Sequence, residues 1–131
     1  MLNLATETIF LKGTFGNLVD PLTTIISFSL LVYPSENNVI GTVKVFPNTA
    51  QEAFSGQVSG KIYTFKNNDV KRLISLQGEN YSNTKFTPFP FEAILSLDDD
   101  WNGKGGFSFE HLQEENINIS ASSFVLETNN D

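Results

Sequence analysis

Eight short runs of alternating apolar and polar residues, evenly spaced and separated by Asn, Asp, Gly and Pro, constrain this chain most. Strand side chains point to alternate faces, so each run is tested by asking which alternate positions are apolar. The strongest run is Ile25 to Tyr33. There Ile26, Phe28, Leu30 and Val32 form one apolar face, and Ile25, Ser27, Ser29, Leu31 and Tyr33 a mixed one. Thr6 to Phe15 precedes it, ended by Gly16-Asn17 and a turn at Asp20-Pro21. Pro34-Ser35-Glu36-Asn37-Asn38 has the composition of a hairpin loop, with Asn able to take positive φ.

Val39 to Phe46 follows, with Val39, Gly41, Val43 and Val45 on one side, and Asn48 to Glu52 is a loop or a single helical turn. Phe54 to Phe65 places Phe54, Gly56, Val58, Gly60, Ile62 and Thr64 together, the glycines marking a bend or a close backbone approach. After a second hairpin loop at Asn67-Asn68-Asp69, Val70 to Gly78 alternates Arg72, Ile74 and Leu76 with Leu73, Ser75 and Gln77. Glu79 to Pro90 is irregular, and Phe91 to Leu97 is a strand with Phe91, Ala93, Leu95 and Leu97 on one face. The loop Asp98 to Gly106 leads into Phe107-Ser108-Phe109. A turn at Gln113 to Asn116 leads into Ile117 to Leu126, where Ile117, Ile119, Ala121, Ser123 and Val125 alternate with Asn118, Ser120, Ser122 and Phe124.

Helical spacing never persists for two turns. The chain is therefore expected to be all-β: an eight-stranded antiparallel up-and-down barrel, whose closure leaves no free edge. A β-sandwich of the same strand order is the runner-up. A length of 131 residues makes residues 1–131 a single domain, with the tail from Thr128 frayed, and twelve phenylalanines suffice to fill its core.

Charge narrows the partners. With eight Lys and Arg against fifteen Asp and Glu, the net charge is −7, and no basic stripe can neutralise phosphates. Nucleic acid and membrane are not expected as partners. Cysteine is absent, which removes disulfides and thiolate chemistry. The N-terminal Met1-Leu2-Asn3-Leu4 has no basic segment followed by a long apolar stretch, and Ile25 to Tyr33 falls far short of the ~20 residues that cross a bilayer. A soluble, cytoplasmic protein is the expectation.

Ser29-Leu30-Leu31-Val32-Tyr33 followed by Val39-Ile40-Gly41-Thr42, then Val58-Ser59-Gly60-Lys61-Ile62-Tyr63, then Leu97-Asp98-Asp99-Asp100-Trp101-Asn102-Gly103, carry a resemblance. In this order they resemble a bacterial domain-of-unknown-function family, number eighteen-forty-two, over most of the chain from about Ile25 to Leu126. The motifs are moderately specific, since any small barrel needs strands followed by Gly-bearing turns. The resemblance implies bacterial origin and a compact β domain, and it carries no activity.

The sharpest local motif is Asp98-Asp99-Asp100-Trp101-Asn102-Gly103, which fits the first half of a calcium loop, with oxygen ligands at Asp98, Asp100 and Asn102. The second half fails, because Phe109 stands where a bidentate carboxylate belongs. A solvated hairpin loop is the preferred reading, and no cofactor is expected. Trp101 suits an anchor capping a barrel end, its large ring buried. His111, the only histidine, has no evident nucleophile or orienting partner. Glu114-Glu115 reads as solvated charge in a turn, and Gly103-Lys104-Gly105-Gly106 as a flexible hairpin tip.

Tyr81, Phe86, Phe89 and Phe91 form an aromatic group beside Pro88 and Pro90. It serves as a lid over the core, as the rim of an apolar pocket, or as a patch that recruits a partner; with Trp101, these are the candidate ligand or partner contacts. Ile25, Leu31, Tyr33, Ile40, Phe46, Tyr63, Phe65 and Leu73 fall on the outward faces, where a lone barrel would carry Thr, Lys and Glu. Coverage by another copy accounts for them, and so does a register error from one bulge. The expected function is a non-enzymatic interaction or assembly module, self-associating. The alternative is a carrier of a small apolar ligand inside the barrel; an enzyme is the weakest reading.

Overall fold

Burial alternates with period two along the strands, which gives one apolar wall that must close on itself. The computed structural model describes residues 7–16, 24–46, 54–66, 69–78, 90–110 and 112–127. Eight strands run in order: β1 Glu7–Phe15, β2 Ile25–Tyr33, β3 Asn38–Phe46, β4 Phe54–Thr64, β5 Arg72–Gly78, β6 Phe91–Leu97, β7 Gly103–Phe109 and β8 Leu112–Glu127. Each pairs antiparallel with the next, and β8 returns to pair with β1. The result is a closed up-and-down barrel rather than two stacked sheets.

Closure depends on the length of β8. Its first half pairs with β7 and its second half with β1, so Ile119 faces Gly103 on one side and Phe15 on the other. Between β2 and β3 a 3-10 turn, Pro34–Glu36, ends at Asn37 with φ 55°, the left-handed conformation expected of an Asn there.

Two expectations are corrected at the C-terminal hairpin. Gly103 to Gly106 is not a hairpin tip but the first half of β7. The turn is complete by Asn102, and the missing side chains let β7 lie close on β6: a Cβ at Gly105 would overlap the carbonyl oxygen of Ile94. Gln113 to Asn116 is not a turn either, because it belongs to β8. A register shift between Gly105 and Phe107 marks a bulge, with Asn116 at φ 62°. The extra residue breaks the alternation, so a strand reads as a loop when only its period is inspected.

The interior is one cluster drawn from all eight strands. Phe15 meets Phe28 and Phe107 edge to face at centroid distances of 5.8 and 5.9 Å, and Phe91 stacks on Phe107 at 6.5 Å. Each such ring contributes roughly 1.5–3 kcal/mol by leaving water. The expectations for Asn48 to Glu52 and for the tail from Thr128 lie outside the described residues. Among the described residues no helix is long and apolar enough to cross a membrane.

Candidate functional site

A closed barrel has no unpaired strand edge to offer, which closes the route of strand addition and directs attention to the side chains on its outer wall. Register places four of these abreast. Phe10 of β1 lies opposite Phe124 of β8 and Leu31 of β2, and Leu31 lies opposite Ile40 of β3. Phe124 is 65% exposed and Ile40 47%, while Phe10 and Leu31 are half-buried. All eight apolar residues assigned outward from the sequence are exposed or half-buried, so a register error does not account for them.

The charge around this row is one-sided. Lys12, Lys44 and Lys61 are exposed on the outer wall of β1, β3 and β4. Among the described residues, the outward positions of β1 to β4 and of the second half of β8 hold no carboxylate. Lys61 Nζ donates to Asn38 Oδ1 at 2.9 Å across β4 and β3. In a chain of net charge −7, a wall bearing only cations is unexpected.

A groove of about 450 Å³ crosses β5, β6, β7 and the start of β8. One row of its lining runs Gln77, Glu92, Ser108 and Gln113, each opposite the next. The adjacent row runs Ser75, Ile94 and Gly106, with Glu115 beyond the bulge. Small residues at 75, 106 and 108 keep the floor low, and Ile94 stands 53% exposed within it. The two exposed carboxylates, Glu92 and Glu115, face no basic side chain among the described residues of the lining.

Glu114 corrects another expectation. Glu115 is exposed, as solvated charge should be, but Glu114 lies opposite buried Phe107 and faces inward. Its Oε2 is buried without a hydrogen-bond partner among the described residues. An unsatisfied buried acceptor of this kind costs about 1–3 kcal/mol.

In the Asp98–Gly103 loop, oxygens of two of the three candidate calcium ligands, Asp98 and Asn102, are taken up by backbone N–H groups. Asp98 Oδ1 accepts from the backbone N–H groups of Asp100 at 2.8 Å and Asn102 at 3.1 Å. Asn102 Oδ1 accepts from Ala121 N–H at 3.0 Å, tying the loop to β8. Asp100 remains exposed, and among the described residues no three His, Cys, Asp or Glu side chains gather as a metal site. Trp101, with φ 67°, is 6% exposed beneath the Arg72 guanidinium, which sits 4.0 Å from the ring centroid. Arg72 also donates to the Asp98 carbonyl at 2.9 Å. Trp101 is thus a capped anchor at a barrel end and does not present its ring to a ligand.

Of the aromatic group, Phe91 is a core residue, 1% exposed on the inner face of β6, and so is not available as a contact. Tyr81, Phe86 and Phe89 lie outside the described residues, as does His111. Sequence reasoning missed Phe10 and Phe124, and the groove with Glu92 and Glu115. A lone aromatic in the polar face Asn118, Ser120, Ser122 and Phe124 was the available signal. That it lies beside Phe10 depends on the first and last strands pairing.

No curated protein matches the chain. A family model described as "Domain of unknown function (DUF1842)" matches residues 8–114.

Proposed function

The chain belongs to this family, DUF1842, a domain of unknown function, and since membership brings no chemistry with it, we propose from the barrel itself that the protein is a non-enzymatic assembly module that self-associates. One observation carries the reading: Phe124, Phe10, Leu31 and Ile40 abreast on the outer wall of a barrel with no free edge. Contiguous apolar surface of this kind marks contact sites, whereas scattered apolar residues need no explanation. The next row on the same wall, Ser122, Lys12, Ser29 and Thr42, is polar. A membrane barrel instead carries a continuous apolar band outside and a polar interior, so the pattern favours a protein partner in water.

Carriage of an apolar ligand finds less support, because phenylalanine rings of β1, β2, β6 and β7 pack on one another in the interior. Sedimentation across a range of concentrations tests assembly. The mass is expected to rise above the 14.5 kDa of one chain. Phe124→Ser with Ile40→Ser should return it to one chain without lowering the melting midpoint, since both side chains are exposed. A wild-type protein that stays at one chain throughout overturns the reading.

A further inference from the structure

We infer that the association is head to tail, with the apolar, lysine-bearing wall of one copy seated in the acidic groove of the next. The inference rests on the self-association proposed above and specifies its geometry.

Charge decides between the two ways identical barrels can meet. In an isologous contact the wall around Phe10 faces its own copy, which sets Lys12, Lys44 and Lys61 against the same three lysines, with no carboxylate at the described outward strand positions of that wall to answer them. Like charges opposed across an interface are strongly unfavourable. The groove offers the complementary surface. Glu92 and Glu115 are exposed there, with no basic side chain among the described residues of the lining, and Ile94 gives an apolar contact between them.

Shape and position agree with charge. Phe124 projects furthest, and Lys12 lies diagonally beside it, since Phe124 faces Phe10 and Ser122 faces Lys12. An aromatic anchor received by a pocket is the usual form of an interface hot spot. The groove's volume of about 450 Å³ is ample for such an anchor. The apolar row centres on β1 and β2 and the groove on β6 and β7, well apart around the barrel. One molecule can therefore use both surfaces at once, and such contacts build rings or filaments rather than closed dimers.

Two charge-reversed proteins test this by sedimentation and size-exclusion chromatography. One carries Lys12→Glu and Lys61→Glu, the other Glu92→Lys and Glu115→Lys. All four positions are exposed, and unchanged melting midpoints verify the fold. Each protein alone should associate at least about tenfold more weakly than wild type, and an equimolar mixture should recover association as a mixed species. The neutral pair Glu92→Gln and Glu115→Gln should weaken association in the same direction, by less. If Glu92→Lys with Glu115→Lys associates as wild type does, the groove is not the receiving surface and the inference is overturned. Failure of the mixture to recover overturns it equally. A wild type that never associates overturns the assembly proposal itself, a result distinct from both.

Discussion

Glu114 and Gly105 show how much a single position carries in this barrel. Glu114 holds a carboxylate oxygen in the wall without a partner among the described residues, opposite Phe107. Replacing it with Met keeps the volume and removes the stranded acceptor. Glu114→Met should stabilise the protein by about 1 kcal/mol, roughly 4 °C in melting midpoint, as read by calorimetry. Gly105 has the opposite sensitivity. A Cβ there would overlap the Ile94 carbonyl oxygen and press on Ile119 Cδ1, so β7 would have to move away from β6. Gly105→Ala should cost about 3 kcal/mol in denaturant unfolding, against a few tenths for alanine at an open glycine site. Neither effect was legible in the sequence. Glu114 beside Glu115 looks like surface charge, and a glycine-rich tetrapeptide looks like a turn. What decides both is which atoms of another strand lie within contact.

At the scale of elements, the loop between β6 and β7 is held by its own hydrogen bonds. Asp98 Oδ1 accepts two backbone N–H groups and the Asp98 backbone N–H donates to the Asn102 carbonyl at 2.8 Å, while Trp101 packs beneath Arg72. Asp98→Ala should therefore destabilise the protein by about 1–2 kcal/mol, measured by thermal melting. Calcium should leave the midpoint unchanged, because a ligand that binds only the folded state must raise it and Asp98 Oδ1 and Asn102 Oδ1 are already engaged. A rise on calcium titration would restore the metal reading of Asp98, Asp100 and Asn102. The turn and its Gly boundary could be found in the sequence, because acidic residues, Asn and Gly in that order disfavour a strand. The bulge in β8 could not, since Asn116 at φ 62° shifts the faces without changing the composition.

The whole molecule stands or falls with the seam between β1 and β8. Every residue from Glu7 to Phe15 is paired across it, and without β8 the barrel becomes an open sheet with β1 as a bare edge. Removing residues 120–131 should therefore open the barrel to edge-to-edge aggregation, seen as light scattering that keeps rising with time at constant concentration where that of the full chain is steady. The same seam creates the proposed contact surface, since it brings Phe124 beside Phe10.

The amino-acid sequence by itself determined the all-β class and most of the strands with their inner faces, though not the start of β7 or the bulged start of β8. Alternation is a local property, and water sorts each strand's faces wherever that strand ends up. It also determined that apolar residues are left over on the outer faces. Only the tertiary structure decided where they gather, because adjacency across a closed barrel depends on register and on pairing between residues more than a hundred positions apart. For the same reason the lysines of β1, β3 and β4 appear in the sequence as scattered charge. On the barrel they share one wall, and Glu92 and Glu115 share a groove on another.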